Sequence, residues 1–150
     1  MSREIKFRAW HKKQSKMIYD VQKTEMVHHA MSSMAGEPSG LDHYFDEKWY
    51  ELMQYTGLKD NNDQDIYEGD ILTVYRTFEP HKKDTMGGEN GGFNWYSKVE
   101  QGKVFWSVMT TGFMIEYSGD DDIESMGFWR HRFEVMGNIF EEGDKWVLTN

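Results

Sequence analysis

Short runs of alternating apolar and polar residues, each closed by a turn signal, recur along this chain and limit its fold more than any other feature. A period of two sends successive side chains to opposite faces, which makes a half-buried strand rather than a helix. Residues 4–10 (EIKFRAW) set Ile5, Phe7 and Ala9 against Lys6, Arg8 and Trp10. The polar stretch HKKQSK follows, and residues 17–21 alternate again through Met17, Tyr19 and Val21, which predicts an antiparallel hairpin. Residues 49–56 (WYELMQYT) are rich in β-forming side chains. GLKDNNDQD is a dense turn signal. Glu68-Gly69-Asp70 then turns the chain into a strand with Ile71, Thr73 and Tyr75 on one face and Leu72 and Val74 on the other. Gly69 is expected there because the bend needs backbone freedom. GKVFWSVM and GFMIEY read as a hairpin about Thr110-Thr111, and RFEVMGNIFE as a last strand with Gly137 at a bulge or kink.

The sum is one mostly β domain over residues 1–150, a small barrel or twisted antiparallel sheet with an N-terminal hairpin. The hairpin takes residues 1–21, a variable connection with one short helix 22–48, the core 49–141, and a tail carrying Trp146 142–150. Residues 79–102, which contain the glycine-rich MGGENGG, read as a long mobile loop, and SGDDDIESMG as an acidic loop. With 150 residues the chain is long enough to bury a core without a metal or disulfide staple. Only 38% of residues are hydrophobic but 15% are aromatic, so large rings have to supply much of the buried area.

Composition also excludes chemistry. Cysteine is absent, which removes disulfides, zinc–thiolate sites, iron–sulfur clusters and thiol nucleophiles. No run approaches a membrane span and the start lacks an apolar signal core, so the sequence predicts a cytoplasmic protein with no membrane role. The six histidines (His11, His28, His29, His43, His81, His131) fall in no metal-ligand spacing, and no metal or cofactor is expected. Asp120-Asp121-Asp122 with Glu124 lacks the ligand spacing of a calcium loop and reads as solvated. MGGENGG has no following Gly-Lys-Ser/Thr, so it is not a phosphate loop. No nucleophile–base motif is present, and the reading is not an enzyme.

Charge is unevenly spread. The net charge is −9, yet residues 1–24 carry seven basic and two acidic residues. Such a basic end can meet the acidic body of another copy, for instance residues 116–124. Trp10, beside Lys6 and Arg8 on the outer face of the first strand, is the candidate centre of such a self-association surface. Trp129, Arg130 and Arg132 could stack and neutralise nucleic acid, but an acidic chain repels phosphate backbones, so nucleic acid is an unlikely partner.

Four patches carry a resemblance: REIKFRAW with KMIYD, the central LMQYTGLKDNNDQDIYEGDIL, GKVFW, and FEVMGNIFE. Together they resemble the YopX family of phage and prophage proteins. The long central patch is the specific part. The tail departs, with Glu142-Gly143-Asp144-Lys145-Trp146 where such proteins often end in a proline-bearing helical turn. The resemblance implies a small phage-encoded protein, mostly β with an SH3-like barrel part, and no assigned activity. It offers no catalytic residue to carry over. Tyr55, Gly57, Leu58, Asp60, Tyr67, Gly69 and Asp70 are therefore read as a structural motif, a strand–turn–strand corner in which Asp60 and Asp70 accept backbone N–H bonds and the tyrosines pack. The functional expectation is an accessory protein acting by protein–protein contact, as a homo-oligomer or on a host or phage partner, with small-barrel nucleic-acid binding as the alternative.

Overall fold

A computed structural model describes residues 4–23, 44–78, 96–118, 123–126 and 131–141. It is a β protein: among these residues there is no α-helix. Nine strands run β1 (Phe7–His11), β2 (Lys16–Ile18), β3 (Tyr50–Lys59), β4 (Asp65–Tyr67), β5 (Asp70–Phe78), β6 (Tyr96–Ser107), β7 (Gly112–Tyr117), β8 (Ile123–Ser125) and β9 (Arg132–Asn138). They form a four-stranded sheet, β2-β1-β3-β4, and a five-stranded sheet, β8-β7-β6-β5-β9. The expectation of a short helix within 22–48 meets only a 3-10 turn at Val21–Lys23, and residues 24–43 lie outside the described residues, as do MGGENGG, Trp95, Asp120–Asp122, Phe128–Arg130 and the tail from 142. The chain divides into two compact units, residues 1–58 with 65–69, and residues 59–64 with 70–150.

In the first unit the predicted hairpin forms, with Ala9 opposite Ile18 and Trp10 opposite Met17. On its other side β1 pairs antiparallel with β3, from Phe7 opposite Gln54 to His11 opposite Tyr50. Ala9, Val21, Tyr44 and Tyr50 are buried together, with Phe7, Ile18, Trp49 and Leu52 packed against them. Burying a side chain such as Val21 contributes about 1.5–3 kcal/mol. The opposite face of β1 is buried as well. Arg8 lies over the Tyr67 ring at 4.7 Å and donates to the Glu68 carbonyl, and Lys6 lies over the Tyr55 ring at 5.0 Å.

In the second unit β5 is the central ladder. It pairs antiparallel with β6 (Leu72 opposite Gly102) and with β9 (Val74 opposite Phe133). The two faces alternate as predicted, and Leu72, Val74, Val104, Ile115 and Tyr117 fill the core with Phe113, Met126 and Phe133. The register shifts between Ile71 and Leu72, where Met136 is the extra residue beside Gly137, so the expected bulge is present. Gly102 is required by closeness. A Cβ there would stand 2.3 Å from Ile115 Cγ2.

Sequence boundaries need correction in several places. β3 runs to Lys59, so residues 57–59, read as turn, are strand. β6 begins at Tyr96, so residues 96–102 are strand and not loop. The apolar alternation fails there because Lys98 and Glu100 occupy strand positions and are stabilised by ionic partners instead. Ile123–Ser125, read as acidic loop, is strand β8 paired with β7.

Candidate functional site

The central motif builds a clasp. Thr56 Oγ1 donates to the Ile66 carbonyl and accepts from the Leu58 N–H, at 2.8 and 3.1 Å, which closes β3 onto β4. Gly57 and Gly69 sit at φ 88° and 82°, the left-handed region that side chains with a Cβ disfavour. Tyr55 and Tyr67 pack with ring centroids 5.6 Å apart, and burial pushes the Tyr67 phenol up to about 12. Lys6 pairs with Asp65 at 2.9 Å, and that hydrogen bond holds its ammonium above the usual lysine range.

Asp60 works in the second unit. Its Oδ1 accepts from Asn62 and Gln64 N–H at 2.8 and 2.9 Å, and its Oδ2 accepts from the Val135 N–H at 3.0 Å. The neighbouring Asn61 N–H donates to the Phe133 carbonyl at 2.9 Å. The 60–64 turn thus covers part of the outer edge of β9, a role that strands at sheet edges need against unwanted pairing. Burial raises the Asp60 carboxyl, but the three backbone donors outweigh it and hold it below its ordinary value of 3.8. Asp70 is fully buried.

A polar network invisible to the sequence reading occupies the far end of the second unit's core. Leu72 and Val74 put Arg76 at the next core-facing position of β5. Its Nη1 meets Glu100 at 2.5 Å and its Nη2 meets Glu124 at 2.7 Å. The guanidinium lies over the Tyr117 ring at 4.2 Å. Glu124 Oε2 also receives the Tyr117 hydroxyl at 2.9 Å and lies 3.0 Å from His131 Nε2. Burial raises the Glu124 carboxyl, yet Arg76, Tyr117 and His131 together hold it below its usual value. Burial and the bond to Glu124 push the Tyr117 phenol well above 10. An ionised carboxylate only accepts, so His131 carries its proton on Nε2. The signal that could have revealed this cluster was the arginine on the Leu72–Val74 face. Among the described residues no group of His, Asp and Glu is arranged to hold a metal ion.

The self-association surface expected around Trp10 is not where exposed area lies. Trp10 is only 9% exposed and Arg8 is buried. Both faces of β1 are covered, and the hairpin's cations are engaged inside their own unit: Lys6 by Asp65, Lys12 by Glu51, and Lys13 over the Trp49 ring at 3.7 Å. On the acidic stretch, Glu116 pairs with Lys103 and Glu124 with Arg76. Of the nucleic-acid candidates, Trp129 and Arg130 lie outside the described residues, and Arg132 lies 5.7 Å from the Tyr75 ring centroid.

Exposed apolar area gathers instead at the β6–β7 turn. Val108 and Met109, read as strand from sequence, form the turn and are 82% and 97% exposed. Trp106, 39% exposed, stands edge-on to Phe113 on the two strands that lead into and out of this turn, with centroids 4.9 Å apart. Thr111 in the same turn has φ 49°, an outlier for a β-branched residue where glycine or asparagine costs less. No charge occurs from Val104 through Ile115. The charges bounding this stretch, Lys103 and Glu116, neutralise each other across the ladder at 2.9 Å.

The family model described as YopX protein matches residues 6–144. The chain belongs to the YopX family. No curated protein matches the chain. A solved structure, protein EF1440 from Enterococcus faecalis, matches over 97% of this chain and 99% of its own, with 23% identity and a TM-score of 0.53. That likeness supports the fold. Within this YopX chain no described helix is long and apolar enough to cross a membrane.

Proposed function

We propose that this YopX protein is an accessory protein of phage or prophage origin that works in the host cytoplasm by protein–protein contact, as a homo-oligomer and not as an enzyme. Family membership supports the origin. The observation that carries the mode of action is the β6–β7 turn, an uncharged tip with Val108 and Met109 almost fully exposed, joined to the strands that carry the Trp106–Phe113 pair. Apolar side chains with aromatic support, held clear of charge, are what interface centres are built from. The tip's neutrality favours a second copy as its partner. Two chains of net charge −9 repel at most surfaces, and the tip brings no like charges together. The strained Thr111 is consistent with a turn kept for contact and not for stability. The test is sedimentation of the native chain beside the double variant Val108→Ser, Met109→Ser. Loss of association in a variant that melts like the native chain supports the reading, and unchanged association refutes the tip as its surface.

A further inference from the structure

Glu124 reaches the network from the shortest edge of its sheet. β8 is three residues long and pairs with β7 through Ser125 opposite Met114, Glu124 opposite Ile115, and Ile123 opposite Glu116. Ile123 is half exposed and Ser125 is exposed, so within the strand only Glu124 faces the core. Three donors from three different elements meet its two oxygens: Arg76 from β5, Tyr117 from β7, and His131 just before β9. Among the described residues, the remaining charges facing the network are Glu100 and Lys98 of β6, which pair at 2.5 Å. Among these residues, Arg76 and Lys98 stand against Glu100 and Glu124, two cations against two anions. Take away the Glu124 carboxylate and a net positive charge stays behind, with a buried guanidinium at its centre. Such a site draws an anion.

We propose that Arg76, Tyr117 and His131 form a receptor for a carboxylate carried on an extended strand, filled here by Glu124 of the same chain and able to take β8 of a second copy. Displacing β8 also uncovers the edge of β7, whose backbone pairs an incoming strand in the same register. The second copy is the natural occupant because its own β8 already has the right side chain at the right place. That choice of partner rests on the self-association proposed above, whereas the receptor itself rests on geometry alone.

The test uses the full chain with Glu124→Ala and a fluorescent peptide of residues 121–127, compared with the same peptide bearing Gln for Glu. The expected result is at least tenfold tighter binding of the acidic peptide, with the preference abolished by adding Arg76→Met. Acetate, as a small probe, should raise the melting midpoint of Glu124→Ala above that in chloride at equal ionic strength. Equal binding of the two peptides by a folded variant, or no acetate effect, overturns the proposal. If Glu124→Ala does not fold, Glu124→Gln is used with the same peptides and the same criterion. The Val108→Ser, Met109→Ser variant should keep the peptide preference, so failure of the tip and failure of the receptor are told apart.

Discussion

Replacing Asp60 with alanine removes one carboxylate and strands three backbone donors at once. Asn62 and Gln64 are exposed, so water takes over much of what their N–H groups lose. Val135 is half-buried on β9, and its N–H loses a charged acceptor at 3.0 Å. A hydrogen bond to a charged group contributes about 1.5–3 kcal/mol and a partly hydrated one less, so the total cost is about 2–3 kcal/mol. For a chain of this length that lowers the melting midpoint by roughly 5–10 °C. The pH dependence has a definite sign. The Asp60 carboxyl is held below 3.8 in the folded chain, so its contribution is fully present above that value. It is lost as pH falls through the lower folded value. Asp60→Asn keeps one acceptor oxygen, costs less at neutral pH, and removes this part of the acid sensitivity. Thermal melts followed by circular dichroism at pH 7 and on acidification measure both effects. A midpoint for Asp60→Ala within a degree of the native chain would refute the stabilising role of the Asp60 bonds.

Gly69→Val forces a β-branched side chain into φ 82° and should cost on the order of 1–3 kcal/mol, read as a lower midpoint in thermal melts. Gly102→Ala places a methyl against the stiff Ile115 side chain and should cost about 1–3 kcal/mol, with relief expected from Ile115→Val in a double-mutant cycle. Gel shifts with single- and double-stranded DNA and RNA at about 0.15 M salt should show nothing tighter than the roughly 10⁻⁶ M of non-specific binders. A nanomolar complex lost on changing Arg130 and Arg132 to alanine would reverse the ranking of functions.

The strands were legible wherever one face is apolar and the other polar, as in β1, β5, β7 and β9. Gly69 was legible because tight backbone geometry leaves a glycine where a side chain would be strained, and the bulge beside Gly137 because a glycine inside a strand pattern marks such an irregularity. What escaped the sequence was of two kinds. The first half of β6 and all of β8 put Lys98, Glu100 and Glu124 where apolar residues are expected. Glu100 and Glu124 are stabilised by Arg76, far away in sequence, and no local pattern reports a partner at that separation. Trp10 escaped for a related reason. Alternation assigns it a face, but whether that face meets water depends on elements packed above it, here a layer in which Tyr55 and Tyr67 cover Lys6 and Arg8. The β6–β7 tip was half legible: the hairpin was evident, but its turn begins two residues earlier than the apolar run suggests, which turns Val108 and Met109 outward.

The proposed self-association of this YopX protein through its uncharged apolar tip has a direct readout in solution. Light scattering coupled to size exclusion, over a concentration series at low salt and at about 1 M salt, tests it most directly, because screening at high salt weakens ionic contacts and leaves apolar ones. Association through the tip gives a mass at least twice 17.8 kDa at tens of micromolar, retained at high salt. A clean 17.8 kDa species at every concentration would contradict self-association, and an assembly that falls apart at high salt would contradict the tip as its basis.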